Sequence, residues 1–493
     1  MKRHAVVIGA GVAGLATAAR LATKGHSVCV YEQNGKPGGK LGLLKLNGYT
    51  WDTGPSLFTQ PHLLQQLFTD CGKDISNYLH YKILSISTRY FYEDGTLLIS
   101  YKNKLQLGPE IKAKLDIDPD ELFKFLDEVK EMYADIGSIF LTQPIHNLRT
   151  WWGKQIVTAL RKVKLPYLFS SMHQYHVRRL QHPKLVQLFD RFATYNGSNP
   201  FSAPAMLCMI AHLEMNEGAY YPTGGMISIA DALYNLCKDL DVTFYFNTQV
   251  QKIKKGEHSI TGITTIEGTM PADIVVCNSD VYFTYKNLLG DEKNSRKIKQ
   301  EERSSSAVIF YWGINKSFKQ LGLHNIFFAE DYKAEFNAIF NTHQVYHDPT
   351  VYVNITCKME ASHAPDGCEN WFVLVNTPDE RYITPEAIAA IRKNIIDKLT
   401  RILGQNIASY ISAEQVLTPS LIATQTSSYL GALYGTASNN KMAAFLRHSN
   451  VSSTYKNLFF AGALCTPAVA YRCVCAQQSW WPMLLENKNY CAL

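Results

Sequence analysis

The chain has 493 residues, 46% of them hydrophobic, 12% aromatic and only 18% charged, a globular composition too long for one hydrophobic core and so expected to form two closely joined domains. Its net charge of +7 is compatible with an anionic cofactor or an anionic lipid surface, and too small to point to nucleic acid as a partner. No apolar run is long enough to span a bilayer, and the apolar stretch after Met1-Lys2-Arg3-His4 breaks at once into glycines, unlike a secretory signal. The chain is therefore expected in the cytoplasm with its eleven cysteines reduced. The C-x-C pair Cys473 and Cys475 has no second pair to make a metal site.

In chain order, Ala5-Val6-Val7-Ile8 reads as a buried parallel strand. It runs into Gly9-Ala10-Gly11-Val12-Ala13-Gly14, then a helix over Leu15 to Thr23, a turn at Gly25-His26, and a second strand over Ser27 to Tyr31 that ends at Glu32. This is a complete βαβ dinucleotide-binding pattern. Gly9 permits the tight turn, Gly11 lets the backbone approach a pyrophosphate, and Gly14 lets the helix pack on the sheet. The helix N-terminus offers free N–H groups to phosphates, and Glu32 can accept hydrogen bonds from a ribose.

From about Asp116 to Gly218 the pattern turns helical, with Asp118 as an N-cap and Pro119 in the first turn. Trp151 to Leu165 mixes paired tryptophans, aliphatic residues and four cations, which suits an interfacial amphipathic segment as well as an ordinary surface helix with one buried face. After Tyr220 strand character returns, and Asp241–Phe246 and Ala272–Cys277 both read as buried strands. There is no Ser/His/Asp arrangement, phosphate-binding P-loop or metal cluster, and no catalytic side chain is assigned. His182, His212 and His324 read as structural or surface groups.

Two further blocks follow. Pro37-Gly38-Gly39-Lys40 follows the ribose-binding acid, and Asp52-Thr53-Gly54-Pro55-Ser56 comes soon after. Together they resemble the flavin amine oxidase and phytoene desaturase superfamily. Gly218-Ala219-Tyr220-Tyr221-Pro222-Thr223-Gly224-Gly225-Met226, Arg191–Pro200, Ser305–Gly313 and Leu323–Phe328 resemble its bacterial carotenoid desaturases, closest to the hydroxycarotenoid 3,4-desaturase branch. The resemblance implies FAD as cofactor, contacted by Gly9, Gly11, Gly14, Glu32, Gly38, Gly39, Lys40, Gly54, Pro55, Ser56, Val250 and Gly462. It implies an apolar polyene substrate, for which Tyr220, Tyr221 and Pro222 either line a route or simply pack the core. It also implies a peripheral, lipid-facing location; the oligomeric state stays unknown.

The implied fold class is α/β: a discontinuous Rossmann-like FAD-binding domain with an inserted α+β substrate domain carrying a helical, membrane-facing part. Its expected segments are 1–110, 218–290 and 431–462 for the cofactor, 111–217 for the helical region and 291–430 for a substrate sheet. The segment 463–493 departs from the family. Where a Gly-rich stretch G-S-V-H-P-G-G-G-I-P-L is expected, the chain reads Ala463-Leu464-Cys465-Thr466-Pro467-Ala468-Val469-Ala470-Tyr471-Arg472-Cys473. Suitable codons for these residues, shifted by one base, encode the expected stretch, so the tail is read as frameshifted. The reaction expected is removal of two hydrogens beside a conjugated chain, by hydride transfer to flavin. Alternatives are a flavin oxidase or saturase on a porphyrinogen, retinoid or amine, and a cofactor-free remnant.

Overall fold

The computed structural model describes residues 2–137, 167, 169–440 and 448–462. The Trp151–Leu165 segment and the tail from Ala463 lie outside these residues. Two sheets organise the chain. The first has five parallel strands, in the spatial order Leu458–Phe460, Ile274–Cys277, His4–Ile8, Ser27–Tyr31 and Thr243–Tyr245. Strands from the beginning, middle and far end of the chain therefore build one discontinuous Rossmann-like domain, and the order reverses at His4–Ile8, where such sheets bind their ligands.

Local sequence explains these strands. Ala5, Val6 and Val7 are fully buried, as are Val275, Val276 and Cys277 beside them, so a continuous apolar run with both faces covered is what the site demands. The helix begins at Val12, earlier than expected from the sequence, and its alanines pack closely against the helix Ile227–Lys238 and the sheet. The expected strand over Asp241–Phe246 shortens to Thr243–Tyr245 and is only half-buried. The reason is its place at the sheet edge, where among the described residues it pairs with Ser27–Tyr31 alone.

The second sheet has seven strands, in the order Ile411–Leu417, Ser306–Ile314, Glu369–Thr377, Val351–Ile355, His324–Phe327, Ile86–Phe91 and Leu97–Tyr101. Its pairings are antiparallel except for the parallel join of His324–Phe327 to Ile86–Phe91. This corrects the expected boundary at residue 110. Residues 86–101 belong to the substrate sheet, because the Asn325–Phe327 backbone pairs with Arg89–Phe91. Beside this edge the helices Pro119–Met132, Met172–Leu180 and Pro183–Asp190 share a core that includes Phe125, Phe189 and Phe192. Asp118 caps the first of them through Asp120 N–H, at 3.0 Å, with Pro119 next.

The helix Pro385–Leu403 contributes Ile391, Ile395 and Leu399 to the core it shares with Trp371 and Val373. Its Lys398 is buried, with a side chain 1% exposed, and pairs with Asp348 at 2.8 Å and Glu93 at 3.6 Å. It also donates to the Phe328 carbonyl at 2.8 Å, so one cation fastens the helix to the end of strand His324–Phe327. Lys398→Met should destabilise the protein by roughly 3 kcal/mol, by removing one partner of a buried ion pair. A urea denaturation midpoint unchanged from the wild type would contradict this role.

Candidate functional site

A cavity of ≈ 1740 Å³ opens at the carboxyl ends of the parallel strands and continues along the second sheet. At its cofactor end two glycine turns meet. Gly38 N–H donates to the Ala10 carbonyl at 3.0 Å, and Gly11 pairs with Gly38 as an isolated bridge. A Cβ on Gly39 would lie 2.9 Å from Gly11 Cα, and one on Gly11 would lie 2.7 Å from Asn278 Oδ1. Side chains are excluded here, which leaves backbone N–H groups and the start of helix Val12–Thr23 facing the cavity. This is a cradle that a pyrophosphate fits. Gly14 does not line the cavity; a Cβ there would sit 2.0 Å from the Gly9 carbonyl oxygen, so its task is close packing.

Glu32 is buried at the end of strand Ser27–Tyr31. Its carboxylate accepts from Ala10 N–H at 2.8 Å and from Asn34 N–H at 2.9 Å, tying the first turn to the loop beyond the strand. Thr248 N–H donates to the Glu32 carbonyl at 2.9 Å, bringing Val250 to the same wall. Gly54, Pro55, Ser56 and Gly462 also line the cavity. Gly54 holds a φ of +88°, and a Cβ would meet the Lys40 carbonyl oxygen at 2.1 Å, so the D-x-G-P-S turn and the Gly-Gly-Lys turn are fitted to each other. Lys40 Nζ donates to the Leu433 carbonyl at 2.8 Å. Burial pushes its pKa down to about 8, against the opposing pull of Asp280.

Tyr220, Tyr221 and Pro222 are not among the residues lining this cavity, which corrects the expected substrate route. Their strand pairs with Tyr81–Ile83; Tyr220 packs edge-on against Phe58 and Tyr81, and Tyr221 is buried beside Leu84 and Leu323. The signature's remaining part serves the cofactor side indirectly: Met226 N–H donates to Asp52 Oδ1 at 3.0 Å, steadying the D-x-G-P-S turn.

Several cavity residues were not singled out from sequence. Asn278 follows the buried strand Ile274–Cys277; its Nδ2 donates to the Ala461 carbonyl at 2.9 Å, joining the first, middle and last parts of the domain. Its position just after a buried strand is the only sequence signal it carries. Along the second sheet the wall holds a polar cluster. Arg191 Nη2 donates to Glu214 Oε2 at 3.0 Å and to Tyr90 Oη at 2.9 Å, Thr88 donates to Glu214 Oε1 at 3.2 Å, and Tyr195 Oη donates to Glu214. Burial raises the pKa of Glu214, but the Arg191 charge and these bonds outweigh it and hold the carboxyl below its ordinary value. His324 lies beside this cluster, where burial lowers its pKa to about 4 and the Arg191 charge adds to the shift against Glu214.

The geometry generates two expectations. Gly14→Ala and Glu32→Ala should each weaken FAD retention by about tenfold or more, the second through loss of charge-assisted hydrogen bonds. Flavin absorbance after gel filtration reads this directly. His324 is neutral when folded until about pH 4, whereas the unfolded imidazole binds its proton near 6.5. Stability should therefore fall as pH drops through that window. Urea unfolding at pH 7 and pH 5 should show a smaller loss in His324→Gln than in the wild type.

The chain matches the flavin containing amine oxidoreductase family over residues 12–474. It is 46% identical to a 1-hydroxycarotenoid 3,4-desaturase from a Flavobacterium species, over 94% of this chain and 95% of that protein. It is 30% identical to a 4,4'-diapolycopene oxygenase from a Methylomonas species, over 94% of each. An oxidoreductase from Methanosarcina mazei shares the fold at a TM-score of 0.62 and 15% identity, covering 98% of this chain and 100% of that one. With the glycine cradle and the parallel sheet that carries it, this places the chain in the flavin containing amine oxidoreductase family, as an FAD-dependent oxidoreductase.

Proposed function

We propose that the chain is an FAD-dependent desaturase of a long-chain carotenoid, specifically a hydroxylated acyclic carotene, acting in the cytoplasm at a membrane surface. The observation that carries this reading is a continuous cavity of ≈ 1740 Å³ that runs from the glycine cradle to a wall of Ile309, Ile326, Phe336, Ile339 and Leu374. It exceeds the roughly 300–1,000 Å³ of an ordinary small-molecule site, leaving room for a dinucleotide and a long apolar partner together. The 46% identity to a hydroxycarotenoid desaturase supports the substrate class. Among the described residues no helix is long and apolar enough to cross a membrane, so a bilayer-dissolved substrate would be reached from the surface.

FAD would be held by the Gly9–Gly14 and Pro37–Lys40 turns, by Glu32 at the ribose, by Val250 near the adenine, and by Gly54–Ser56 and Gly462 along the rest of its length. When bound, it supplies a two-electron acceptor for a hydride taken from carbon. The chain itself must then hold the polyene in register and keep water from the reacting bond. The second hydrogen leaves as a proton. Lys40, with a pKa of about 8 and its Nζ at the cofactor end, is a cavity group able to hold or release one near neutrality.

The tail enters the same proposal. A Gly-rich segment after Gly462 would extend the backbone donors of the cradle, and the chain has Ala463-Leu464-Cys465 there instead. The chain as written is thus proposed to bind FAD weakly. After FAD is added and the excess removed, its visible spectrum should show less than one flavin per chain, and the frame-restored form should show one. In liposomes the restored form should shift the absorption of a hydroxylated acyclic carotenoid to longer wavelength as one double bond is added. A flavin-loaded protein that leaves this substrate unchanged overturns the desaturase reading. Incorporation of oxygen into the product would favour instead the oxygenase activity named for the relative at 30% identity.

A further inference from the structure

The polar cluster on the substrate wall contains a donor that neither the fold nor the cofactor accounts for. His324 is 3% exposed and lines the cavity. Its Nδ1 lies 2.7 Å from Tyr352 Oη and 3.1 Å from Asn354 Nδ2. The orientation of Asn354 is fixed by a further bond from Nδ2 to the Leu323 carbonyl at 3.1 Å; turned over, its oxygen would face that carbonyl oxygen. Nδ1 of His324 therefore accepts, and the neutral ring carries its proton on Nε2. Nε2 is buried and has no hydrogen-bond partner among the described residues. A buried donor left in this state is destabilising until something accepts its proton.

The neighbouring groups do not share this condition in the same way. The Glu214 oxygens receive Arg191, Thr88 and Tyr195. Arg191 also has an unpartnered Nε, but its guanidinium is enclosed by the rings of Tyr90, Phe192 and Tyr195, at 5.4, 4.5 and 5.4 Å. His324 is also tied to the cofactor end. Tyr352 Oη, which contacts its Nδ1, lies 2.7 Å from Ser56 Oγ in the D-x-G-P-S turn.

We propose that His324 is a specificity-determining residue, whose Nε2–H donates to the terminal hydroxyl oxygen of a 1-hydroxylated acyclic polyene. This rests on the desaturase reading. In a substrate hydroxylated at carbon 1 and desaturated between carbons 3 and 4, as the name of the 46% identical relative describes, the oxygen stands roughly 3–4 Å from carbon 3. A donor for that hydroxyl has to sit beside the reacting bond. Two hydrogen bonds, through Tyr352, join His324 to the turn proposed to lie along the flavin. A polyene without the hydroxyl would leave the donor buried and unpaired, and such a site discriminates against it.

The test uses the full chain with FAD in excess, in liposomes, and two probes: a 1-hydroxylated acyclic carotenoid and the same polyene lacking the hydroxyl. Affinity is read from the circular dichroism that a bound polyene acquires in its visible band. The wild type should bind the hydroxylated probe at least about tenfold more tightly. His324→Phe should bring that ratio to about one, and His324→Gln, which keeps an N–H, should restore part of it. If His324→Phe does not fold, the wild-type ratio and that of His324→Gln decide. A wild-type ratio of one, or variants that weaken both probes equally, overturns the inference and leaves the desaturase reading standing. If neither probe binds the wild type or its frame-restored form, the desaturase reading falls and this inference falls with it.

Discussion

The cofactor end of the molecule depends on the contact between the turn at Gly9–Gly14 and the turn at Pro37–Lys40. Gly39 and Gly11 stand so near that a methyl group on Gly39 would come within 2.9 Å of the other's Cα. A gap of this size admits no side chain, and the same absence exposes peptide N–H groups that would otherwise be covered. Asn278 closes the arrangement from the third side, with its amide bonded to Ala461 and its oxygen beside Gly11 and Gly14. The start of the first helix and, through Gly54 against Lys40, the course of the Asp52–Ser56 turn are both fitted to this contact.

The second sheet solves a different problem. Its strands present large apolar side chains to the cavity, yet the Arg191–Glu214 pair is buried in the same wall. Burying an ion pair brings a desolvation penalty that only complete hydrogen bonding offsets. Here Tyr90, Thr88 and Tyr195 supply bonds to the pair, while the rings of Tyr90, Phe192 and Tyr195 enclose the guanidinium whose Nε has no partner among the described residues. The cluster also joins helical segments to strand Ile86–Phe91, so the polar interior of the substrate region doubles as the seam between helices and sheet.

Much of the cofactor end was legible in the sequence because its rules are local. A strand, three spaced glycines, a helix and an acid follow one another within about thirty residues of chain, and the structure keeps them in that order from His4 to Glu32. What was not legible is non-local. Nothing in Ile86–Phe91 says that it pairs with a strand more than two hundred residues later, so the expected domain boundary fell in the wrong place. Tyr220 and Tyr221 belong to a quotable motif, but a motif does not say which way a ring turns; here both rings pack among core residues. His324, by contrast, sits in a short buried strand with no spacing partner, and only the fold reveals Tyr352 and Asn354 around it.

The position of strand Leu458–Phe460 carries a consequence for biosynthesis. It pairs with Ile274–Cys277, which in turn pairs with His4–Ile8. The substrate sheet is complete once Ile411–Leu417 has left the ribosome, while the nucleotide sheet still lacks its edge. His4–Ile8 must therefore wait for Ile274–Cys277, which in turn keeps one edge unpaired until Leu458–Phe460 is made, a state open to mispairing with other chains. A nucleotide that binds only the finished sheet would draw this late step to completion by mass action, so supply of the cofactor during synthesis bears on the yield of folded protein and not only on its activity.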